Sequence, residues 1–473
     1  MKTVRSDIGM IGLAVMGRNL ALNIAGRGYR VAVWNRHIRH TRDFLSALTP
    51  IQGRQIDCAR SMGDFVRKLA RPRRVILLVK AGAPVDWVLE GLLPLLGRGD
   101  IVMDGGNSHF SDTERRQARA LARGVRYLGM GISGGEFGAR HGPSIMPGGD
   151  RSAYVLVRPI LEKAAAETSD GPCCAYVGKS SAGHFTKMVH NGIEYAVMQV
   201  LAESWDIMAT GLGMRAGEAG ELFARWNNGP LSSYLVGITA TVLGRKDSLT
   251  GRPLVEMIRD SAGQKGTGKW TTQAALDLGV PVPTITAAVD ARIISGHQGE
   301  RLLAGKNLGS SSARIRAPRG MMAAALMQAV RGAILVSYAQ GLHLLARASR
   351  EYGYGIRLDE VCRIWKGGCI IRSRELDMLM RSFRDNPRLE HLFGSRRFAA
   401  VLRPCAAPLR RVVERALAAR IPVPALSSAL AYRDSFVRER LPANLIQAQR
   451  DYFGSHTFER TDRPGVFHEN WDG

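Results

Sequence analysis

A chain of 473 residues that is 45% hydrophobic and 23% charged is too long for one small core, so two to three domains are expected. It holds no run of about 18 uninterrupted apolar residues and opens without a signal-peptide pattern, so it is expected to be cytoplasmic with no membrane partner. The net charge of +25 is spread along the chain, without a basic tail or an aromatic-interleaved block, which favours a compositional bias plus an anion site over a specific nucleic-acid partner.

Residues 7–17 read as a short apolar strand running into a glycine-spaced turn. Gly12, Ala14 and Gly17 occupy the G-x-G-x-x-G positions, with Leu13, Val15 and Met16 between them. Small residues there let the backbone approach a pyrophosphate at a helix N-terminus. A helix over 18–27 and a strand over 30–34 complete a βαβ unit. After that strand an NAD site usually carries Asp or Glu, whereas this chain has Asn35, Arg36 and His37. Arg36 can stack on adenine and fork a 2′-phosphate, and Asn35 can donate to it, so NADP is the expected cofactor. A solvated arginine is the alternative reading.

Further strands over 74–79, 101–104 and 125–128 alternate with helices, a doubly wound α/β pattern. Ligands bind beyond the carboxyl ends of such strands. Three small or polar loops fall there: Lys80-Ala81-Gly82 after Val79, Gly105-Gly106-Asn107-Ser108, and Ser133-Gly134-Gly135-Glu136.

From about residue 182 helical periodicity takes over. Lys187, His190, Asn191, Glu194 and Tyr195 share one helix face, while Phe185, Met188, Val189, Ile193, Val197 and Met198 cover the others. Such a helix reads as buried, and a buried Lys and Glu require partners or a polar ligand. The chain also matches itself at an offset of roughly 140 residues, taken as an internal repeat. Gly192 falls on Gly332, Trp226-Asn227-Asn228-Gly229 on Trp365-Lys366-Gly367-Gly368, Val280-Pro281-Val282-Pro283 on Ile421-Pro422-Val423-Pro424, and Arg292 on Arg433. Where the first copy has its polar stripe, the second has Met327, Val330, Arg331, Ile334 and Leu335, so the scaffold does not require the stripe. Residues 262–270 offer glycine amides with Lys265 and Lys269, readable as an anion-holding loop or as a surface turn. Six cysteines without a CxxC pair or Cys/His ligand spacing argue against a disulfide framework and a metal site.

Taken in order, the 12–17 turn, Asn35-Arg36, Val79-Lys80-Ala81-Gly82, Asp104-Gly105-Gly106-Asn107-Ser108, the run from Lys187 to Tyr195, and Gln449-Arg450-Asp451-Tyr452-Phe453-Gly454 closely resemble the long-chain, NADP-linked, decarboxylating 6-phosphogluconate dehydrogenase family. The resemblance implies a Rossmann-like cofactor domain (1–181), a duplicated all-helical substrate and dimerisation domain (182–440) and a tail (441–473) threading into the partner of a cytoplasmic homodimer. It implies oxidative decarboxylation of 6-phosphogluconate to ribulose 5-phosphate with reduction of NADP. Lys187 resembles the general base and acid, and Glu194 the acid that protonates the product. Ser133, Gly134, Gly135, His190 and Asn191 resemble carboxylate and hydroxyl contacts. Tyr195, Lys265, Thr267 and Arg292 resemble phosphate and sugar-chain contacts, joined by Arg450 and His456 from the other subunit, and Asn107 a bridge between nicotinamide and substrate. Two departures stand out: His37 where the family usually has Thr or Ser, and Phe137 where a second acid commonly follows Glu136. Another NAD(P)-dependent β-hydroxyacid dehydrogenase is the rival reading, although such an enzyme normally lacks the duplicated helices and the tail.

Overall fold

The computed structural model describes residues 5–309 and 311–471. Its N-terminal part is built on a seven-stranded sheet: β1 (Ile8–Ile11), β2 (Val31–Trp34), β3 (Ile56–Cys58), β4 (Arg74–Leu77), β5 (Ile101–Asp104), β6 (Arg126–Ser133) and β7 (Ser144–Gly149). The order is β3-β2-β1-β4-β5-β6-β7, parallel throughout except for β7, which runs antiparallel to β6 with Ser133 facing Ser144. Every residue of β1, β2 and β5 is buried, because both faces of a parallel sheet are covered and its strands therefore read as unbroken apolar runs.

Two strands lie outside the sequence expectation. β3 is only Ile56-Asp57-Cys58, too short to show a period. β7 is Ser-Ile-Met-Pro-Gly-Gly, whose Pro147 and two glycines hide a strand signal; its place at the sheet edge is where proline is tolerated. The first helix, Val15–Gly26, also starts three residues earlier than the pattern predicts, directly on the glycine turn.

Beyond residue 182 the fold is helical. The long helices Ala182–Asp206 and Arg319–Glu351 pack against each other. Gly192 and Gly332 play the same part in each: a Cβ there would lie 2.7 Å from the Thr271 methyl and 2.9 Å from the Cys405 Cβ, so both glycines admit a crossing helix. The paired Val-Pro sequences likewise give one local structure twice. Helices Pro283–Gly296 and Pro424–Val437 follow Val282 (φ −128, ψ 50) and Val423 (φ −134, ψ 57), each with proline opening the helix. These two helices pack together. Glu203, on the first long helix, accepts hydrogen bonds from the amides of Ala425 and Leu426 at 2.8 and 2.9 Å, tying the two copies together at a helix N-terminus. Burial pushes its carboxyl up to about 7.

Helix Arg319–Glu351 is long and apolar enough by composition to cross a membrane, a feature that a search for uninterrupted apolar runs does not detect. Here its Leu326, Val330, Leu335, Leu342 and Leu345 are core residues. The tail consists of helix Ala443–Gly454 and a small hairpin, Phe458–Glu459 with Val466–Phe467. Asp451 organises it, accepting bonds from the amides of Thr457 and Glu469, from His468 and from the Trp471 indole.

Candidate active site

The helix Ala182–Asp206 starts hard against the antiparallel edge of the sheet. A Cβ on Gly183 would lie 2.0 Å from the Gly129 carbonyl oxygen, and one on Gly131 would lie 2.5 Å from the Lys187 Cβ. Glycine on both sides of this contact lets helix and strand meet backbone to backbone, which fixes Lys187 beside the end of β6. The loop after β6 then presents Ser133, Gly134 and Gly135, and the Ser133 hydroxyl is 3.1 Å from His190 Nε2.

The polar stripe converges. Lys187 Nζ lies 3.4 Å from His190 Nδ1, and a Glu194 carboxylate oxygen lies 3.9 Å from the same nitrogen. His190 Nδ1 is also 3.1 Å from the Asn191 side-chain oxygen, while the Asn191 amide donates to the Thr267 hydroxyl at 3.2 Å. Tyr195 follows one turn on, with the Arg292 guanidinium 3.5 Å from its ring centroid. Lys187, His190, Asn191, Tyr195 and Thr267 are buried, and Glu194 is partly open. Met198 departs from the expected apolar jacket: it is 42% exposed, lying beside Arg292.

Burial sets the charges. It lowers the affinity of the Lys187 amine for its proton, against the opposing pull of Glu194. It raises the Glu194 carboxyl above the usual range, against the attraction of Lys187 and Arg292. It pushes His190 well down, with Lys187 adding to the effect, so the imidazole is a neutral hydrogen-bonding group. One stripe thus carries a base that has lost part of its basicity and an acid that keeps its proton longer.

The expected cofactor residues follow the carboxyl ends of β1, β2, β4 and β5. Gly12 has φ 101, and a Cβ there would lie 2.4 Å from the Leu78 carbonyl oxygen, so the turn tolerates no side chain. Helix Val15–Gly26, with Ala14 as its N-cap, has neither a capping side chain nor an acidic residue in its first turn, leaving its amides free for an anion; Leu13 and Met16 complete the turn. The Leu13 amide donates to the Asn35 side chain at 3.1 Å, which ties the discriminating segment to the turn. Arg36 and His37 are exposed beside it. Arg36 lies 4.5 Å from the ring centroid of Trp87, a partner that the sequence reading did not identify. These residues fit a 2′-phosphorylated dinucleotide: a free helix end for the pyrophosphate and cations, without a carboxylate, for the extra phosphate. Val79, Lys80 and Ala81 follow β4, and Asn107 is exposed at the tip of the loop after β5.

Three expected contacts are not gathered. Lys265 is exposed in its loop. Arg450 donates to Gln447 at 3.1 Å within the tail helix, and His456 follows that helix. Among the described residues neither bonds to the stripe. Conversely, residues 364–370 form a back wall that the sequence reading used only to align the repeat. Trp365 is fully buried with its ring edge on His190 at 5.5 Å, the Ser144 hydroxyl donates to the Ile364 carbonyl, and the Ile370 amide reaches the Ser133 hydroxyl.

Comparison with known proteins gives the same two-part division. The 6-phosphogluconate dehydrogenase C-terminal domain model matches residues 183–471, and the NAD binding domain model of 6-phosphogluconate dehydrogenase matches 7–178. The decarboxylating 6-phosphogluconate dehydrogenase of Synechococcus elongatus is 50% identical over 471 residues, 98% of this chain and 99% of that protein. The chain belongs to the 6-phosphogluconate dehydrogenase family. Plasmodium falciparum 6-phosphogluconate dehydrogenase, solved in its apo form and in complex with its cofactor NADP+ and its substrate 6-phosphogluconate, is 43% identical with a TM-score of 0.93, covering 98% of this chain and 100% of that one.

Within the family, overall identity does not separate the cofactors. Two Bacillus subtilis relatives, one NADP(+)-dependent and one NAD(+)-dependent, are 47% and 46% identical to this chain over 99% and 98% of its length, covering 99% of each relative. Of the two departures, His37 lies edge-on to His40 at 6.2 Å. Phe137 is 70% exposed with its ring on His141; nothing in the structure explains its identity.

Proposed function

We propose that this chain oxidises and decarboxylates 6-phosphogluconate to ribulose 5-phosphate with NADP, Lys187 acting as base and Glu194 as acid. The observation that carries the reading is the convergence of Lys187 and Glu194 on His190 Nδ1, which puts a less basic amine and a carboxyl that holds its proton longer on one side of one helix. Lys187, neutral when substrate binds, takes the proton of the C3 hydroxyl. When bound, NADP supplies the acceptor for the hydride from C3. Protonated Lys187 then polarises the C3 carbonyl, into which the electron pair released with carbon dioxide delocalises. Lys187 gives its proton to that oxygen, and when Glu194 delivers its own to C1 of the enediol, a task for a carboxylic acid kept neutral by its setting, the neutral amine takes the proton of the adjoining hydroxyl. Ser133, Gly134, Gly135, His190 and Asn191 hold the carboxylate and hydroxyls, Asn107 bridges nicotinamide and substrate, and Tyr195, Lys265, Thr267 and Arg292 hold the phosphate end.

The same reading makes the protein a cytoplasmic homodimer of the pentose phosphate pathway. Support for the dimer comes from apolar surface that one chain leaves uncovered. Helix Gln298–Leu308 has no buried residue and exposes Leu302, Leu303 and Leu308, and the tail helix exposes Leu445, Ile446, Tyr452 and Phe453. Arg450 and His456 then reach the stripe of the second subunit.

The test follows NADPH absorbance and carbon dioxide release with 6-phosphogluconate, with 3-hydroxyisobutyrate and no substrate as controls. Equal yields of the two products with 6-phosphogluconate alone are expected; turnover of 3-hydroxyisobutyrate instead would favour the rival β-hydroxyacid dehydrogenase. Two variants refine it. Glu194→Gln lowers turnover by about 100-fold. In the wild type, activity rises with pH as Lys187 loses its proton and falls as Glu194 loses its own, so the glutamine variant also loses the alkaline fall. Arg36→Ala raises the KM for NADP by about 10- to 100-fold, the worth of a charge-assisted hydrogen bond, and leaves the KM for NAD nearly unchanged. Equal effects on both cofactors would remove Arg36 from the 2′-phosphate.

A further inference from the structure

Beneath the cofactor loops lies a buried polar network that the proposed chemistry does not use. Arg116, on helix Phe110–Leu121, is fully buried. A buried guanidinium is costly unless its donors are satisfied, and here they are satisfied by Asp86 and by groups from two separate loops. Its Nε and Nη2 fork the Asp86 carboxylate at 3.0 and 2.8 Å, and Nη2 also donates to the Gly82 carbonyl at 3.0 Å. Its Nη1 donates to the Ser108 hydroxyl at 3.1 Å and lies 3.6 Å from an Asp104 oxygen. Gly82 closes the loop that follows β4, and Asp86 sits in the helix that this loop opens. Ser108 closes the loop that carries Asn107.

That second loop is wrapped around Asp104, which accepts the Gly106 amide at 3.0 Å, the Ser108 hydroxyl at 2.6 Å and the Tyr127 hydroxyl at 3.2 Å. The Asp104 backbone carbonyl in turn faces His184 Nε2 at 3.0 Å, while His184 Nδ1 is 2.7 Å from the Thr113 hydroxyl. A nitrogen facing a carbonyl must carry the proton, so Nδ1 accepts from Thr113 and the ring is held on both sides. His184 precedes Lys187 by one helical turn.

We infer that Arg116 is a positioning residue that sets the spacing between the two cofactor-side loops, 79–82 and 105–108, and that His184 transmits this spacing to the helix bearing Lys187. The inference rests on the proposed NADP-linked reaction. The Asp86 carboxylate takes two of the five guanidinium donors and the Gly82 carbonyl a third, while Nη1 is spent on the loop that carries Asn107. A fork that grips two loops at once is geometry that a lysine, as a point charge, does not reproduce.

Arg116→Lys is the test, with the melting temperature measured alongside. Expected are a roughly tenfold fall in kcat, a raised KM for NADP, a KM for 6-phosphogluconate within about twofold of wild type, and a larger primary isotope effect with substrate deuterated at C3, because hydride transfer becomes rate-limiting when the two reacting carbons are held less well. Ser108→Ala and Asp86→Asn remove one grip each and should show the same split at roughly threefold, which keeps the inference testable if Arg116→Lys does not fold. Overturning results are an unchanged isotope effect and unchanged KM for NADP in the folded variants, or losses that follow the folded fraction alone. If the wild type itself fails to reduce NADP with 6-phosphogluconate, the proposed function has failed; if the wild type is active and the variants match it, only this inference has.

Discussion

Lys187→Ala lowers turnover by at least about 100-fold while NADP binds nearly as to wild type. The separation follows from the layout: the amine lies beside His190, and among the described residues no hydrogen bond joins it to the glycine turn or to residues 35–37. Alanine keeps the helix and removes only the amine. The neighbouring groups cannot replace it, since His190 is held neutral with its proton affinity well below normal, and Glu194 is retained as an acid. Turnover near the wild-type value in a folded Lys187→Ala protein would assign the base elsewhere; a parallel loss of NADP affinity would show that the two half-sites are not separate.

Gly131→Ala tests the same amine without touching it. A Cβ at 131 lies 2.5 Å from the Lys187 Cβ, 3.2 Å from its Cγ and 3.0 Å from the Gly183 carbonyl oxygen. The helix does not yield readily towards the sheet, because Gly183 already meets the Gly129 and Met146 carbonyls. The added methyl therefore turns the Lys187 side chain or lifts the helix. A displacement on the order of 1 Å costs roughly 100-fold in turnover, and the overpacking destabilises the fold by about 1–3 kcal/mol. Steady-state kinetics and a thermal melt on one preparation check both. Turnover within about threefold of wild type would mean that the contact relaxes without moving the lysine.

These two residues also mark how far the sequence could be read. Lys187 and its stripe are visible because polar residues at helical spacing on an otherwise apolar helix are improbable without a use, and because the second copy has the mostly apolar Met327, Val330, Arg331, Ile334 and Leu335 at the matching places. Gly131 carried no such signal: a glycine within a strand names neither its neighbour nor the helix that crosses it. Gly12 and Gly17 were legible because their spacing is itself the signal. Trp87 and residues 364–370 were not, since each reaches the site from an element distant in sequence, and Trp365 looked like a mark of the repeat rather than a wall against His190. Arg116 was lost among the many arginines of the chain; only its burial distinguishes it. Strand β7 was hidden by Pro147 and two glycines, although its pairing with β6 completes the surface on which the Lys187 helix rests. Arg450 is bonded to Gln447 within the tail helix and His456 follows that helix, so the part proposed for them requires a second subunit.

The central claim is that Lys187 and Glu194 serve one substrate from one side of one helix. The most direct measurement is a crystal structure of the protein with 6-phosphogluconate and NADP. The C3 hydroxyl is expected within about 2.6–3.2 Å of Lys187 Nζ, with the Glu194 carboxyl facing C2 of the substrate, the carbon that becomes C1 of ribulose 5-phosphate. A substrate bound with its phosphate against Lys187, or with Glu194 turned away from C2, would contradict it.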